Sequence, residues 1–141
     1  MTMTTLYSTK ATALAGRNGS VATDDGKVSL ELSYPKEMGG SGKGSNPEQL
    51  FAAGYAACFS NAILHVAGAA KIKLKAAPVT AEVGIVPRED GGFALTVSLD
   101  ISLDLPQADA DELVQTAHQV CPYSNAVRNN MDVQITVTGN A

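Results

Sequence analysis

The chain has 141 residues, of which 45% are hydrophobic and 17% charged, which is typical of one globular domain and unlike a disordered chain. Its formal net charge of −4 argues against nucleic acid or an anionic membrane surface as the main partner. The chain length predicts a single domain over residues 1–141. Residues 1–10 lack a basic start followed by an apolar stretch, so we do not expect a signal peptide and we expect the protein to be cytoplasmic. In that reducing compartment two cysteines are more often free, catalytic or metal-bound than joined in a permanent disulfide.

Apolar and polar residues alternate in several stretches, as they do in strands with one buried face. The alternation is clear over residues 28–33, 93–103 and 133–137 and weaker over residues 6–14 and 79–86. The tripeptide Asp-Gly-Gly at 90–92 separates two of these stretches and predicts a hairpin turn.

A long helix is predicted from Pro47 to about Ala69, after a glycine-rich loop at 39–44. Asn46 is a suitable N-cap, and proline is favoured at the first helical position. Apolar residues occupy nearly the whole circumference, so we expect this helix to be surrounded by protein. Its length would also permit a membrane span, but its many small residues and interspersed polar side chains disfavour that interpretation.

A second, amphipathic helix is predicted with Asp109 as N-cap and Glu112 three residues later, as in a capping box. Its apolar face is predicted to consist of Leu113, Ala117, Val120 and Cys121. Pro122 then ends the helix or begins a short new one. The predicted order is three strands, the buried helix, two or more strands, the amphipathic helix and a final strand, which indicates an α+β domain with antiparallel sheet.

The two cysteines have both a structural and a chemical interpretation. Cys58 lies in the middle of the buried helix, where a free cysteine is commonly a small core residue. Cys121 precedes Pro122, and if that proline opens a helix, the positive end of the helix dipole would favour a thiolate there. Position alone leaves both interpretations open for each cysteine.

Three segments carry a resemblance to a known family. Residues 44–59, GSNPEQLFAAGYAACF, resemble the central-helix signature of the organic hydroperoxide resistance proteins, which belong to the OsmC-like superfamily. Residues 120–126, VCPYSNA, resemble the second-cysteine motif of these proteins, and residues 16–19, GRNG, resemble their arginine turn. The resemblance covers essentially the whole chain.

This resemblance implies a fold and an activity. The fold is an antiparallel sheet wrapped around a long central helix in an intertwined homodimer, with active sites at the subunit interface. The activity is reduction of organic hydroperoxides without a bound cofactor or metal, with a lipoyl-bearing protein or another dithiol as the reductant. Cys58 would be the peroxidatic thiol and Cys121 the resolving thiol, while Arg17 and Glu48 would prepare Cys58.

These roles agree with elementary thiol chemistry. A thiolate attacks the peroxide O–O bond, so a buried cysteine needs a fixed cation to stay ionised. Arg17 always carries its charge, and Glu48 would hold the guanidinium through a bidentate contact. Apolar and aromatic side chains close to the cysteines in sequence suit an alkyl or fatty-acyl substrate, although each also fits ordinary core packing. These candidate substrate contacts are Met38, Phe51, Phe59 and Tyr123.

The spacing of Glu48 and Cys58 raises a geometric question. Ten residues separate them, which is about 15 Å along one straight helix, more than a glutamate side chain spans. Either the chain bends near Glu48 or Glu48 acts on the cysteine of a second subunit. The homodimer implied by the resemblance favours the second solution.

Four other functional hypotheses were weighed against the positions of the cysteines and histidines. A metal site could use His118 and Cys121, but Cys58 and His65 lie two turns apart and the spacing matches no common zinc pattern. A cysteine hydrolase needs a histidine beside its nucleophile, and His65 is too far along the helix from Cys58. A lipid-binding module would leave the cysteines dispensable. A peroxidase of the sister OsmC branch, with broader specificity, would share the fold and the cysteine chemistry.

Overall fold

A computed structural model describes residues 3–141 of the chain. It divides into two compact units, of which the first runs to Leu50 and the second is Phe51–Ala141. Each unit contains one of the two sheets that the described strands form. The expectation of a single domain stays a prediction, and the two units are therefore described one at a time.

The first unit is built on a small antiparallel sheet. Its strands are β1 (Ala11–Leu14), β2 (Ser20–Thr23) and β3 (Ser29–Glu31), in that spatial order. Val21 on β2 is the Cα partner of Ala13 on β1 and of Leu30 on β3. The weak alternation over residues 6–14 overestimated β1, because residues 6–10 form no strand.

Helix α1 (Pro47–Ala69) begins and ends where the sequence predicted. Asn46 Oδ1 accepts a hydrogen bond from the backbone N–H of Gln49 at 2.9 Å, which confirms Asn46 as the cap. The expectation that protein surrounds the helix is wrong for the chain by itself, because Leu64 remains 38% exposed and His65 is exposed. The side chains that α1 buries are Tyr55, Phe59, Ala62, Ile63 and Ala67.

Helix α1 is also the candidate membrane span within the described residues. Its best window has a mean hydropathy of 1.4, and 28% of that window is buried. Length and composition alone therefore permit a span, as they do for the core helix of many globular proteins. Since Tyr55, Phe59 and Ile63 are fully buried in the same core as the sheet of the second unit, α1 also serves as a core helix there.

The second unit contains a sheet with mixed pairing. Strands β4 (Val79–Pro87) and β5 (Phe93–Leu103) form the predicted hairpin across residues 90–92. Strand β6 (Val133–Gly139) pairs with β5 in parallel, so the expectation of purely antiparallel sheet is wrong at this edge. A parallel return needs a crossover of a dozen or more residues, and the helical segment before β6 supplies it.

Two helices form that crossover, α2 (Gln107–Val120) and α3 (Pro122–Val127). Pro122 opens α3, which confirms one of the two predicted alternatives. The predicted cap is wrong, because α2 starts earlier and places Asp109 inside its first turn. The reason is the Gln107 side chain, which anchors the helix start to β6 by bonding Val137 O and the Gly139 N–H.

The predicted apolar face of α2 is confirmed for Leu113, Ala117 and Cys121, which are buried, and is wrong for Val120. Its buried residues are Ala110, Leu113, Val114 and Ala117, whereas Val120 is 42% exposed. Cys121 is fully buried at the junction between α2 and α3, where the chain adopts an extended conformation. Val120, the last residue of α2, lies outside the stripe formed by the buried residues.

Candidate active site

Arg17 and Glu48 form an ion pair in the first unit. Arg17 Nη1 donates to Glu48 Oε2 at 2.7 Å and Nη2 donates to Oε1 at 2.6 Å, so the contact is bidentate. The Arg17 guanidinium also lies 5.8 Å from the centre of the Tyr34 ring, within reach of a cation–π contact. The hydrogen bond from Arg17 lowers the pKa of Glu48, and the hydrogen bond to Glu48 raises the pKa of Arg17. Because the Glu48 pKa is lowered, the pair stabilises the fold fully above the ordinary glutamate range, and this stabilisation is lost as pH falls from that range through the lowered pKa.

The backbone around β3 brings these two residues together. Leu32, directly after β3, donates its N–H to Gly19 O at 2.8 Å, which fixes the turn containing Arg17. The segment leading into α1 pairs with the same part of the chain, because the Ser45 N–H bonds Glu31 O at 2.9 Å. A Cβ at Gly44 would lie 2.7 Å from Glu31 O, so only glycine permits this approach.

Gly19→Ala is expected to disrupt this arrangement. A Cβ at Gly19 would overlap the main-chain carbonyl of Leu14, and only backbone movement relieves such a clash. We expect the free energy of unfolding to fall by about 2 kcal/mol or more. Urea titration measures it, with Gly68→Ala as the matched control, because a Cβ there meets nothing within 4 Å and alanine favours the helix by roughly 0.5–1 kcal/mol. Equal stability of Gly19→Ala and wild type would contradict the role given to this turn.

The two cysteines lie together in the second unit. Cys58 is half-buried on α1 and Cys121 is fully buried at the α2–α3 junction, and both are free thiols. Burial, the largest influence, raises the pKa of the Cys58 thiol. A hydrogen bond from the Tyr123 backbone N–H lowers it, and a hydrogen bond with the Cys121 side chain raises it. The influence of Cys121 on the ionisation of Cys58 shows that the two thiols are neighbours, and neighbouring thiols can be joined by oxidation to a disulfide.

Cys121 is the N-cap residue of α3, at the helix end where the sequence placed it. Tyr123 is the second residue of α3, so its N–H is one of the unpaired donors at a helix N-terminus. Burial raises the pKa of Cys58 most strongly, and the Tyr123 N–H lowers it. The start of α3 is therefore a local source of thiolate stabilisation for Cys58.

Aromatic rings pack together in the core that also contains the two cysteines. Phe51, Tyr55 and Phe59 follow one face of α1 at four-residue intervals, and Tyr123 of α3 packs 6.1 Å from Phe51 and 5.7 Å from Tyr55, centre to centre. A Cβ at Gly54 would lie 2.6 Å from the Tyr123 hydroxyl, so glycine is needed for this contact.

The predicted substrate contacts occupy different environments. Phe51 is half-buried and Tyr123 is 37% exposed, while Phe59 is fully buried in the core. Met38 lies in a short 3₁₀ turn, Lys36–Met38, of the first unit and is 40% exposed. Contact of these four side chains with a substrate stays a prediction.

A polar network lies beside the cysteines, and the sequence analysis did not predict it. The Tyr55 hydroxyl lies 2.7 Å from Ser124 Oγ, and His118 Nδ1 lies 2.8 Å from the same oxygen. Arg128, at the end of α3, donates to the backbone carbonyl of His118 and to Asn125 Oδ1. The only sequence signal was spacing, since His118 and Ser124 each lie three residues from Cys121.

Among residues 3–141, no group of three or more His, Cys, Asp or Glu side chains has an arrangement that could hold a metal ion. His118 Nδ1, three residues before Cys121 in the chain, is already engaged with Ser124 Oγ. The two free cysteines offer thiol chemistry.

Comparison with known proteins assigns the family. The family model described as OsmC-like protein matches residues 40–136 of the chain. An organic hydroperoxide resistance protein of Xanthomonas axonopodis pv. citri is 47% identical over 137 residues, which is 94% of each chain. The chain belongs to the OsmC-like family. The organic hydroperoxide resistance protein OhrB of Bacillus subtilis is 42% identical over 132 residues, which cover 92% of this chain and 96% of OhrB.

Solved structures of family members have the same fold. A Vibrio cholerae protein with captopril bound in one of the active sites is 64% identical and superposes with a TM-score of 0.95, covering 100% of this chain and 98% of that one. The crystal structure of Bacillus subtilis OhrB is 41% identical with a TM-score of 0.87, covering 95% of this chain and 100% of that one. These similarities confirm the family and the α+β OsmC-like fold predicted from the motifs.

Proposed function

We propose that the chain is a thiol peroxidase that reduces organic hydroperoxides to alcohols, with Cys58 as the attacking thiol and Cys121 as the resolving thiol. The observation that carries the proposal is the pairing of the half-buried Cys58 thiol with the buried Cys121 thiol at the start of α3. The relatives named organic hydroperoxide resistance proteins support the substrate class.

The proposed reaction has two steps. The Cys58 thiolate attacks the terminal peroxide oxygen, the O–O bond breaks, and the alkoxide leaves as an alcohol after taking up a proton. Cys58 is then a sulfenic acid, which the Cys121 sulfur attacks to form a disulfide while water leaves. A dithiol reductant, which we propose to be a lipoyl-bearing protein, restores both thiols and is itself oxidised to a disulfide.

Steady-state turnover tests the proposed function. We expect the protein to consume cumene hydroperoxide or linoleic acid hydroperoxide with dihydrolipoamide as reductant, and to turn over hydrogen peroxide much more slowly. The apolar and aromatic surroundings of the cysteines are the reason for this preference. Equal rates with all three peroxides would favour the sister OsmC branch of broader specificity. Binding of lipids without any peroxide consumption would favour the non-enzymatic lipid-binding module.

Arg17 and Glu48 are proposed to prepare Cys58 for attack. Burial raises the pKa of Cys58, so a thiolate at neutral pH needs more stabilisation than the Tyr123 amide supplies. Arg17 provides a permanent charge on a guanidinium that Glu48 holds by two hydrogen bonds. Because Glu48 and Cys58 are separated by about 15 Å of helix, we propose that the pair serves the Cys58 of a second subunit in a homodimer. The second subunit would also cover the exposed face of α1.

Arg17→Ala is expected to raise the pH at which Cys58 reacts by at least about one unit, since it removes a cation from the thiolate. The pH dependence of Cys58 alkylation in a Cys121→Ser background measures the shift. Arg88→Ala is the matched control, because Arg88 also pairs with a carboxylate, that of Asp90, but the pair is more than half exposed. An unchanged alkylation profile in Arg17→Ala would overturn the role of Arg17 and direct attention to Arg128.

The cellular setting is part of the proposal. Free thiols that cycle through a disulfide need a reducing compartment, so we propose that the protein acts in the cytoplasm. The net charge of −4 supports a function that involves neither nucleic acid nor an anionic membrane surface.

A further inference from the structure

Three helices of the second unit meet at one buried oxygen, Ser124 Oγ of α3. The Tyr55 hydroxyl of α1 lies 2.7 Å from this oxygen, and His118 Nδ1 of α2 lies 2.8 Å from it. Tyr55 and Ser124 are fully buried, and His118 is partly buried. A hydroxyl offers one donor and two acceptor positions, so Ser124 can bond both neighbours whichever His118 nitrogen carries the proton. The Tyr55–Ser124–His118 row therefore joins α1, α2 and α3 at a single point.

The position of Cys121 depends on the two helices that flank it. Its N–H donates to Ala117 O of α2 at 2.8 Å, and its carbonyl accepts from the Asn125 N–H of α3 at 2.9 Å. The main chain of Cys121 is thus held from both sides, with His118 three residues before it and Ser124 three residues after it. A contact that fixes the junction of α2 and α3 against α1 therefore also fixes Cys121.

Cys58 lies on the helix at the other end of the row. It follows Tyr55 by three residues on α1, the spacing of side chains that share a helix face. The start of α3 packs closely against this part of α1, because the ring centre of Tyr123 is 5.7 Å from that of Tyr55. A Cβ at Gly54 would lie 2.6 Å from the Tyr123 hydroxyl. The row therefore joins the helix that contains Cys58 to the helix junction that contains Cys121.

Apolar packing by itself does not require the two buried hydroxyls of the row. Phenylalanine in place of Tyr55 and alanine in place of Ser124 would fill nearly the same space without a buried polar group, whose desolvation costs free energy. Apolar contacts are non-directional, whereas a hydrogen bond requires a particular distance and angle. Buried polar groups that are fully hydrogen-bonded favour one arrangement of a core over similar ones. The row is therefore suited to fixing how the three helices are arranged.

We propose that Ser124, through its contacts with Tyr55 and His118, is a positioning residue that holds the Cys121 sulfur within reach of Cys58 for disulfide formation. The inference rests on the proposed function, in which this disulfide completes the oxidative half of the cycle. Ser124 contributes by fixing the helices and takes no part in the chemistry itself.

Disulfide formation has a strict geometric requirement. The Cys121 sulfur attacks the sulfur of the Cys58 sulfenic acid, the S–S bond forms and the S–O bond breaks, and the hydroxide that leaves takes up the Cys121 proton to become water. The two Cβ atoms of a disulfide lie about 3.5–4.5 Å apart. A misplacement of about 1 Å can slow such an intramolecular step about 100-fold. Small shifts of α3 against α1 are therefore expected to matter for this step.

The equilibrium between the Cys58–Cys121 disulfide and glutathione measures the positioning without any peroxide. A variant that destabilises the oxidised and the reduced protein equally leaves this equilibrium constant unchanged, so the constant reports the placement of the two sulfurs and not stability alone. Each protein is equilibrated with glutathione and glutathione disulfide at several ratios, and quenched alkylation with mass spectrometry gives the oxidised fraction. We expect Tyr55→Phe and Ser124→Ala each to lower the constant about tenfold.

Two further variants separate the row from general effects. The double variant Tyr55→Phe/Ser124→Ala should lower the constant little further than Ser124→Ala, because the contact between the two hydroxyls is already lost. Ser60→Ala is the matched control and should leave the constant unchanged. Its hydroxyl also belongs to α1 and donates to Ala77 O at 2.6 Å, but it joins the helix to the segment before β4. Tyr55→Phe keeps the ring, so it remains informative even where Ser124→Ala does not fold.

A wild-type equilibrium constant in Tyr55→Phe or in folded Ser124→Ala would overturn the positioning role, and so would an equal fall in Ser60→Ala. Absence of a Cys58–Cys121 disulfide in oxidising glutathione would overturn it as well. Consumption of cumene hydroperoxide by wild type tests the proposed function separately. A protein that ignores this peroxide but shows the expected changes with glutathione would lose the peroxidase function and keep the positioning role.

Discussion

Cys58→Ser is expected to abolish hydroperoxide reduction, whereas Cys121→Ser consumes about one equivalent of peroxide and then stops. The first variant lacks the sulfur that attacks the O–O bond. The second still forms a sulfenic acid on Cys58 but lacks the adjacent thiol that converts it to a disulfide. Measurement of peroxide consumed per subunit without a reductant distinguishes the two.

The different burial of the two cysteines in the structure is the reason for assigning attack to Cys58 and resolution to Cys121. Cys58 is half-buried, while Cys121 is fully buried and has no surface of its own to offer a peroxide. Trapping of a sulfenic acid by dimedone in Cys121→Ser, but not in Cys58→Ser, would support the assignment. Full turnover by Cys58→Ser would end the proposed mechanism.

Mixed dimers of Glu48→Ala and Cys58→Ser subunits are expected to recover activity that neither mutant homodimer has. If Glu48 acts on the partner's cysteine, such a heterodimer has one site with both lesions and one site with wild-type residues. We therefore expect about half of the wild-type activity per dimer, provided that the two sites act independently. Differently tagged subunits, co-purified by both tags, give the verified heterodimer for the activity assay.

If Glu48 instead acts within its own chain, each site of the heterodimer carries one lesion and mixing rescues nothing. Glu82→Ala mixed with Cys58→Ser is the control, because Glu82 lies on the hairpin strand β4 and is far in sequence from both cysteines. Absence of rescue in verified heterodimers, or a monomer at working concentration, would contradict the homodimer proposal.

Local signals in the sequence predicted local structure well. Asn46 and Pro47 located the start of α1, and Pro122 located the break that leaves Cys121 between two helices. These features depend on the backbone chemistry of one or two residues. Pairing of β6 with β5 depends instead on residues 36 positions apart, such as Val97 and Val133, and the alternation at 133–137 carries no information about strand direction.

For the candidate site, too, the sequence predicted local features better than contacts between distant residues. Cys58, Cys121, Arg17 and Glu48 were identified from motifs, and the bidentate contact between Arg17 and Glu48 has the geometry that their chemistry requires. The Tyr55–Ser124–His118 row was not identified, because its members come from three helices and each is an ordinary residue at its own position. Only the packing of those helices brings the three polar groups into one row.

Peptide mapping of the wild-type protein after one equivalent of cumene hydroperoxide tests the central proposal most directly. Without a reductant, the proposal predicts one molecule of alcohol per subunit and a disulfide that joins the peptide containing Cys58 to the peptide containing Cys121. Subsequent dihydrolipoamide should return both thiols and restore reaction with a second equivalent. Unchanged peroxide together with two cysteines that still accept an alkylating agent would contradict it.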